Sequence, residues 1–299
     1  MDDLDTLLAP ARAFMHLDGA DAAFERARVT VVPVPFDGTT CYQPGTRDGP
    51  WAIIDASRNL ELYDTELGFA PYHAGIHTLR SVEIVNGDSE AMVNRVDQVT
   101  ARLLDAGKWV LTLGGDHLVA IGAIRAHARH LPRLSVLQFD AHADLRDVYE
   151  GARYSAATVM RRTLDVCPSI AQVGIRSFSE EEAALIRERN IPQALAATVH
   201  QQRMTGSRDW IESTLAALHD DVYITFDVDC FDPSLMPGTG TPEPGGLGWY
   251  DALDLIAAVA AHKRIVGADV VELSPLLEAH VSPVVAAKLA YKLIAYAVR

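Results

Sequence analysis

Apolar residues in this chain gather into runs of strand length, separated by longer stretches where they recur at helical spacing. The runs at 28–36, 109–113, 134–139, 170–175, 222–226 and 265–271 are nearly continuous, the pattern of strands covered by helices on both faces. Between them, 89–106, 119–130, 180–189, 209–219, 249–261 and 282–297 read as helices. The alternation predicts an α/β fold built on a mainly parallel sheet. Two stretches, 37–50 and 232–248, are rich in Gly and Pro and predict long loops. Both directly follow predicted strands, and open parallel sheets bind ligands outside the carboxyl ends of their strands. What stands just after each apolar run is therefore where chemistry is expected.

Composition narrows the classes. With 299 residues, 26 basic and 40 acidic side chains, the net charge is −14 at pH 7. Nucleic acid and anionic membranes both require a basic footprint, so neither partner is expected, whereas a cationic small molecule fits. Cys41, Cys167 and Cys230 are few and widely spaced, which disfavours a disulfide framework and a zinc knuckle and points to a reducing cytoplasm. The opening Met1-Asp2-Asp3-Leu4-Asp5 lacks the basic and apolar regions of a secretory signal. No apolar run reaches the ~18 residues expected of a spanning helix. A single domain over 1–299 is expected, with 1–27 as an N-terminal extension.

Polar groups replace apolar ones abruptly after three of the runs: Gly114-Gly115-Asp116-His117, Asp140-Ala141-His142-Ala143-Asp144 and Asp227-Val228-Asp229. In extended backbone alternate side chains share a face, so the spacings 140/142/144 and 227/229 each aim their ionisable groups at one point. Together with His117 they bring carboxylates and imidazoles to a density that burial would penalise until most were neutral. Divalent cations remove that penalty. A carboxylate and imidazole set without thiolates disfavours a structural zinc site and suits Mn²⁺, leaving other first-row ions open. Six ligands are too many for one ion with an open position and suit two, ~3.5–4 Å apart, that acidify a water between them. That is a hydrolase site. Any one Asp after a strand is more simply a helix cap or turn former, so the argument rests on the three ends together. His16, His127, His130, His200, His219 and His262 read as surface or internally satisfied histidines.

These segments resemble the ureohydrolase family of arginases and agmatinases, whose hallmarks are a GGDH turn, a DAHxD segment and a DxDxxDP segment. The chain has GGDH at 114–117, DAHAD at 140–144 and DVDCFDP at 227–233. The likeness extends to PFDGTTCYQPGTRDGP near the start, GTGTPEPGG at 238–246 and VVELSP at 270–275, and so covers the chain from about Val31. It implies a three-layer αβα fold and two Mn²⁺ per subunit. By the same resemblance Asp140 and Asp227 bridge both ions, His117 and Asp144 complete one sphere, and His142 and Asp229 the other. Hydroxide then attacks a guanidinium carbon, Asp144 passes a proton to the departing amine, and Glu272 pairs with the guanidinium and orients it. A homotrimer or homohexamer is usual in the family. Asp144-Leu145-Arg146-Asp147 followed by Tyr149-Glu150-Gly151 is similar to bacterial agmatinases, and the asparagine-bearing loop of arginases is absent. The resemblance therefore implies hydrolysis of agmatine to putrescine and urea. The alternatives are another guanidino substrate, such as guanidinobutyrate or arginine, and a catalytically silent guanidine-binding homologue.

The chain departs from the family in two places. Agmatinases commonly carry Ser-His where this chain has Ser155-Ala156, and that histidine shuttles protons. Alanine cannot, and general acid or base help is worth ~10²–10⁴-fold, so slower turnover rather than weaker binding is expected. An engineered change, a lineage feature with another relay, and a different guanidino substrate all account for it. The second departure is Tyr72-His73-Ala74-Gly75-Ile76-His77, where relatives often have Asp-x-Gly-Asp. A lineage change in a structural strand is the simpler reading; the other is that His73 or His77 reaches the site and replaces the shuttle.

Overall fold

In the computed structural model, which describes residues 12–275 and 280–299, the apolar runs lie side by side in one parallel sheet. Among the described residues its strands are β1 (Val29–Val34), β2 (Ile76–Thr78), β3 (Trp109–Gly114), β4 (Leu134–Phe139), β5 (Ile170–Val173), β6 (Gln193–Ala194), β7 (Asp221–Asp227) and β8 (Arg264–Val271). Their order is β2-β1-β3-β8-β7-β4-β5-β6. All six predicted strands are present, and β2 and β6 are short additions at the two edges.

Among the described residues the helices of six residues or more are α1 (Gly49–Ser57), α2 (Ser89–Asp105), α3 (Val119–His130), α4 (Val159–Leu164), α5 (Glu180–Arg189), α6 (Ala196–Thr205), α7 (Asp209–Ala217), α8 (Trp249–His262) and α9 (Val281–Val298). Helices α2 to α5 cover one face of the sheet, packing on Val32, Val34, Val110 and Val136. Helices α1 and α6 to α9 cover the other, packing on Val29, Val31, Leu111 and Leu137. The result is a three-layer αβα fold. Successive residues such as Val110 and Leu111 enter opposite layers, as the pleat requires. All of β1 and β4 is buried, which is why those runs read as nearly continuous apolar sequence, broken only by Thr30, Ser135 and Gln138. Burying each Val or Leu fully contributes roughly 1.5–3 kcal/mol, so the central strands form a stiff base.

Three features differ from, or add to, the sequence reading. The loop predicted over 37–50 ends in α1, because Pro50 in a first helical turn lacks only a donor that would be unpaired there and presets φ. Within the predicted extension, residues 12–27 pack on the core: Phe14 and Met15 are buried, and the Met15 amide donates to Ser57 Oγ at 2.7 Å. Residues 1–11 of it lie outside the described residues. Contrary to the expectation of no span-length apolar segment, α9 is long and apolar enough to cross a membrane by length and composition. Its Leu289, Leu293 and Ile294 are nevertheless buried in the core, and its Lys292 Nζ lies 2.8 Å from Asp64 Oδ1. This is the packing of a core helix.

Strands β3, β8, β7 and β4 are neighbours in space although the chain visits them in another order. Register pairs Leu113 with Val270, Phe226 with Val270 and Phe139 with Phe226. Asp140, Asp227 and Glu272, which follow those residues, therefore emerge close together at the carboxyl edge. Phe139 stacks on Phe226 with centroids 4.7 Å apart, and Phe231 packs on Phe226 at 5.2 Å, an aromatic layer beneath that edge.

Candidate metal centre and active site

The turn after β3 requires glycine: a Cβ on Gly115 would lie 1.9 Å from the Phe36 carbonyl oxygen. That turn carries His117, 1% exposed, over the sheet edge. Its Nδ1 lies 3.1 Å from Asp140 Oδ2, 3.1 Å from Asp144 Oδ2 and 3.5 Å from Asp227 Oδ2. On the far side of Asp140, His142 Nδ1 lies 3.6 Å from Asp140 Oδ1 and 3.0 Å from Asp229 Oδ2. Two groups able to hold a metal ion result, His117–Asp140–Asp144 and His142–Asp140–Asp229, and Asp140 belongs to both.

The local backbone explains the convergence. Beyond β4 the chain stays extended far enough for His142 to bridge Ser177, and then Asp144 turns at φ +53°. The Asp144 carbonyl accepts from the Met160 and Arg161 amides at the start of α4, which holds the turn. Glu272 also has positive φ, +63°, and its amide donates to the Gly115 carbonyl at 2.8 Å. Such conformations cost non-glycine residues on the order of 1–3 kcal/mol and cluster at functional sites. Asp227 and Asp229 meet by a different route from the continued strand that their spacing predicts. Asp227 ends β7, the chain enters a single 3₁₀ turn, and Asp227 Oδ1 accepts the Asp229 amide at 2.8 Å.

Behind His117 runs a buried relay that sequence reading missed. Thr225 Oγ1 donates to Asp269 Oδ1 at 2.8 Å, and Tyr223 donates to Asp269 Oδ2 at 2.9 Å. With its proton committed to Asp269, Thr225 can only accept from His117 Nε2, 2.8 Å away. The ring is thereby oriented with Nδ1 toward Asp140, Asp144 and Asp227, which outweigh burial and raise its affinity for a positive charge, and this buried atom has no hydrogen-bond partner. An orphaned nitrogen lone pair among carboxylates fits a metal ligand. The signal in the sequence was Asp269, an acid inside an otherwise apolar strand.

Electrostatics point the same way. Burial pushes Asp144 up to about 7, and the charge of Asp140 adds to it. Burial also drives Asp227 and Glu272 well above the usual carboxylate range, with Asp229 and Asp140 acting on the first and Asp116 on the second. Burial opposes charge on His142, but Asp229 and Asp140 outweigh it and raise the imidazole well above its ordinary value. The cage takes up protons because it lacks positive charge, which divalent cations would supply.

A cavity of about 360 Å³ opens on the cluster, with His117, His142, Asp144, Asp227 and Glu272 reaching it from below and Ala156 in its wall. Glu272 Oε1 accepts the His117 amide at 2.7 Å. Thr39 donates to Asp116 Oδ2 from both its amide and its hydroxyl, each at 2.8 Å, and accepts the Ala156 amide at 3.1 Å, tying three loops together. Arg176, also missed, donates to the carbonyls of Asp229 at 2.8 Å and Glu243 at 2.7 Å, and so fastens the Asp229 turn to the 232–248 loop. Burial pushes the Cys41 thiol up to about 12, so this cavity-lining cysteine stays neutral. His73 and His77 do not line the cavity: His77 Nδ1 is 2.7 Å from the Ala22 carbonyl and its ring packs on Phe24, while His73 packs on Tyr72. His127 is fully buried, with Nδ1 2.8 Å from the Ala123 carbonyl.

Residues 27–295 match the model of the Arginase family. A protein of Synechocystis named N(1)-aminopropylagmatine ureohydrolase is 40% identical over 284 residues, covering 93% of this chain and 91% of its own. A Bacillus anthracis protein named agmatinase is 33% identical, covering 89% and 90%. The crystal structure of agmatine ureohydrolase of Thermoplasma volcanium superposes with a TM-score of 0.87 at 32% identity, covering 99% of this chain and 97% of the other.

Proposed function

The chain belongs to the arginase family, and from that premise, which makes it a guanidino hydrolase of the agmatinase type, we propose that it cleaves agmatine with water into putrescine and urea. His117, Asp140 and Asp144 would hold one Mn²⁺ and His142, Asp140 and Asp229 a second, with Asp227 beside them as a further ligand. Ions so placed acidify a water enough to supply hydroxide at neutral pH. The observation that carries the reading is the meeting of two ligand groups at Asp140. Glu272, buried at the cavity floor, pairs with the planar guanidinium and fixes the face its carbon presents. As the oxygen of water bonds to that carbon and the C–N bond to the butylamine breaks, Asp144 accepts a proton and delivers it to the leaving nitrogen. The wall offers only a methyl at Ala156, so proton exchange with solvent slows turnover.

A second reading, that the substrate is N(1)-aminopropylagmatine, is favoured by the name of the 40% identical Synechocystis relative. Urea release from agmatine, N(1)-aminopropylagmatine, guanidinobutyrate and arginine, measured with Mn²⁺ supplied, tests both. The guanidino amines are expected to outpace the acid-bearing compounds, and arginine as the best substrate would overturn the proposal. Ala156→His is expected to raise kcat by about 10²-fold. No urea with either residue at 156, while guanidines still bind, would make the chain a silent guanidine-binding homologue. A homotrimeric or homohexameric assembly in the cytoplasm belongs to the same proposal, and light scattering checks the assembly.

A further inference from the structure

We propose that Tyr42, Tyr149 and Phe178 form a second subsite at the cavity mouth that receives the amine-bearing tail of an extended guanidino amine, an inference resting on the guanidino hydrolase reading above. The three rings come from separate loops, after β1, β4 and β5, yet all line the cavity that has Glu272 at its floor. Tyr42 is 73% and Phe178 42% exposed, an uncommon placement for rings that cost free energy in water. Among the described residues neither stacks on another ring, and neither has a guanidinium or ammonium over its face. Tyr149 shows that a cation settles on a ring here: the Arg146 guanidinium lies 5.3 Å from its centroid.

The carboxylates leave this task to the rings. Asp144, Asp227 and Glu272 lie at the floor, where the guanidinium goes. Glu182 lines the cavity, but its Oε1 accepts the Leu145 amide at 2.9 Å and its Oε2 the Ser179 amide at 2.7 Å. The Arg146 guanidinium, also in the cavity wall, takes one face of Tyr149 and lies 3.9 Å from Glu182, so a tail passing outward meets the open rings of Tyr42 and Phe178. Methylenes cover such faces, and an ammonium is drawn to their negative quadrupole, whereas a carboxylate is not. The ligand class that satisfies the whole cavity is a guanidinium joined through methylenes to more than one amine. Agmatine carries one amine on a four-carbon segment; a further aminoalkyl segment adds the methylenes and the second amine that such rings hold.

The test compares N(1)-aminopropylagmatine with agmatine on Mn²⁺-loaded protein, reading the dissociation constant by calorimetry and KM and kcat by urea release. Variants are Tyr42→Ala, Phe178→Ala and their combination, with Tyr63→Ala, 53% exposed and outside the cavity, as control. The combined variant is expected to raise Kd and KM for the extended compound about tenfold, with the loss in KM rather than kcat and a much smaller loss on agmatine. The control leaves the ratio between the two compounds as it was. Equal losses on both compounds, or none on either, would overturn the subsite while urea release upheld the hydrolase reading. Ring-dependent preference in calorimetry with no urea from any guanidine would do the reverse.

Discussion

At the packed end of α9, Lys292 is 1% exposed and its ammonium lies 2.8 Å from Asp64, while at the carboxyl edge of β3, β4 and β7 His117 and Asp140 are as deeply buried with no Lys or Arg in ion-pair reach among the described residues. The acids respond in opposite directions. Burial works against charge on Asp64, but Lys292 and the amides of Leu67 and Glu66 outweigh it and hold the carboxyl below the usual range. Lys292 also holds Glu66 low. At the sheet edge Asp144, Asp227 and Glu272 are pushed up, while Asp140, against which burial also works, is held low by His117 and His142. Buried charge that brings its own counter-ion is scaffold. Buried charge that lacks one is waiting for a ligand, and this contrast separates the site from the rest of the molecule more sharply than residue type does.

The contrast breaks most visibly at the shared ligand. Asp140→Asn is expected to abolish binding of both ions and cut urea release by at least about 10³-fold, with the fold retained by circular dichroism. Lys292→Met does the opposite: breaking a buried pair costs about 3–5 kcal/mol of stability, seen in urea denaturation, while Mn²⁺ stoichiometry stays at the wild-type value. If Lys292→Met lost metal, the two regions would not be independent. Thr225→Val frees the His117 ring to adopt the other tautomer and is expected to weaken Mn²⁺ about 10–100-fold by calorimetry.

Much of this was legible from residues in strands. The apolar run 134–139 coincides with β4, because both its faces are covered. Edge strands were barely legible: Ile76–Thr78 was read only as part of a strand at 72–77, which begins as a 3₁₀ turn, and Gln193–Ala194 not at all, since both are too short to form a pattern and take their conformation from a neighbour's open ladder. The Asp and His residues of the cluster stood out because polar groups interrupt strand ends. The roles of Thr225, Asp269 and Arg176 were not legible, since they depend on partners 44 to 108 positions away in sequence, which only the sheet order brings together. His127 read as a surface or satisfied histidine from its place in a predicted helix; it is buried, with its ring 4.8 Å from that of Tyr223.

The smallest expected effect sharpens the comparison through pH. In the folded chain without metal, Asp144 and Asp116 keep their protons to about 7, whereas unfolded aspartates release theirs near pH ~4. The folded state binds more protons between those values, so stability falls as pH rises from about 4 to about 7. The raised His142 adds to the fall at higher pH, and the lowered Asp140 is ionised in both states throughout this window. Asp64 and Glu66 have the reverse sign, with stability lost only as pH falls below about 4. Metal-free Tm is expected to be higher at pH 5 than at pH 8, and Mn²⁺ to close the gap. A flat metal-free profile would contradict the charge imbalance.

Anomalous scattering from crystals grown with Mn²⁺ reads the site itself. Two peaks per chain ~3.5–4 Å apart are predicted, one among His117, Asp140 and Asp144 and one among His142, Asp140 and Asp229. A single peak, none, or peaks away from Asp140 would contradict the account.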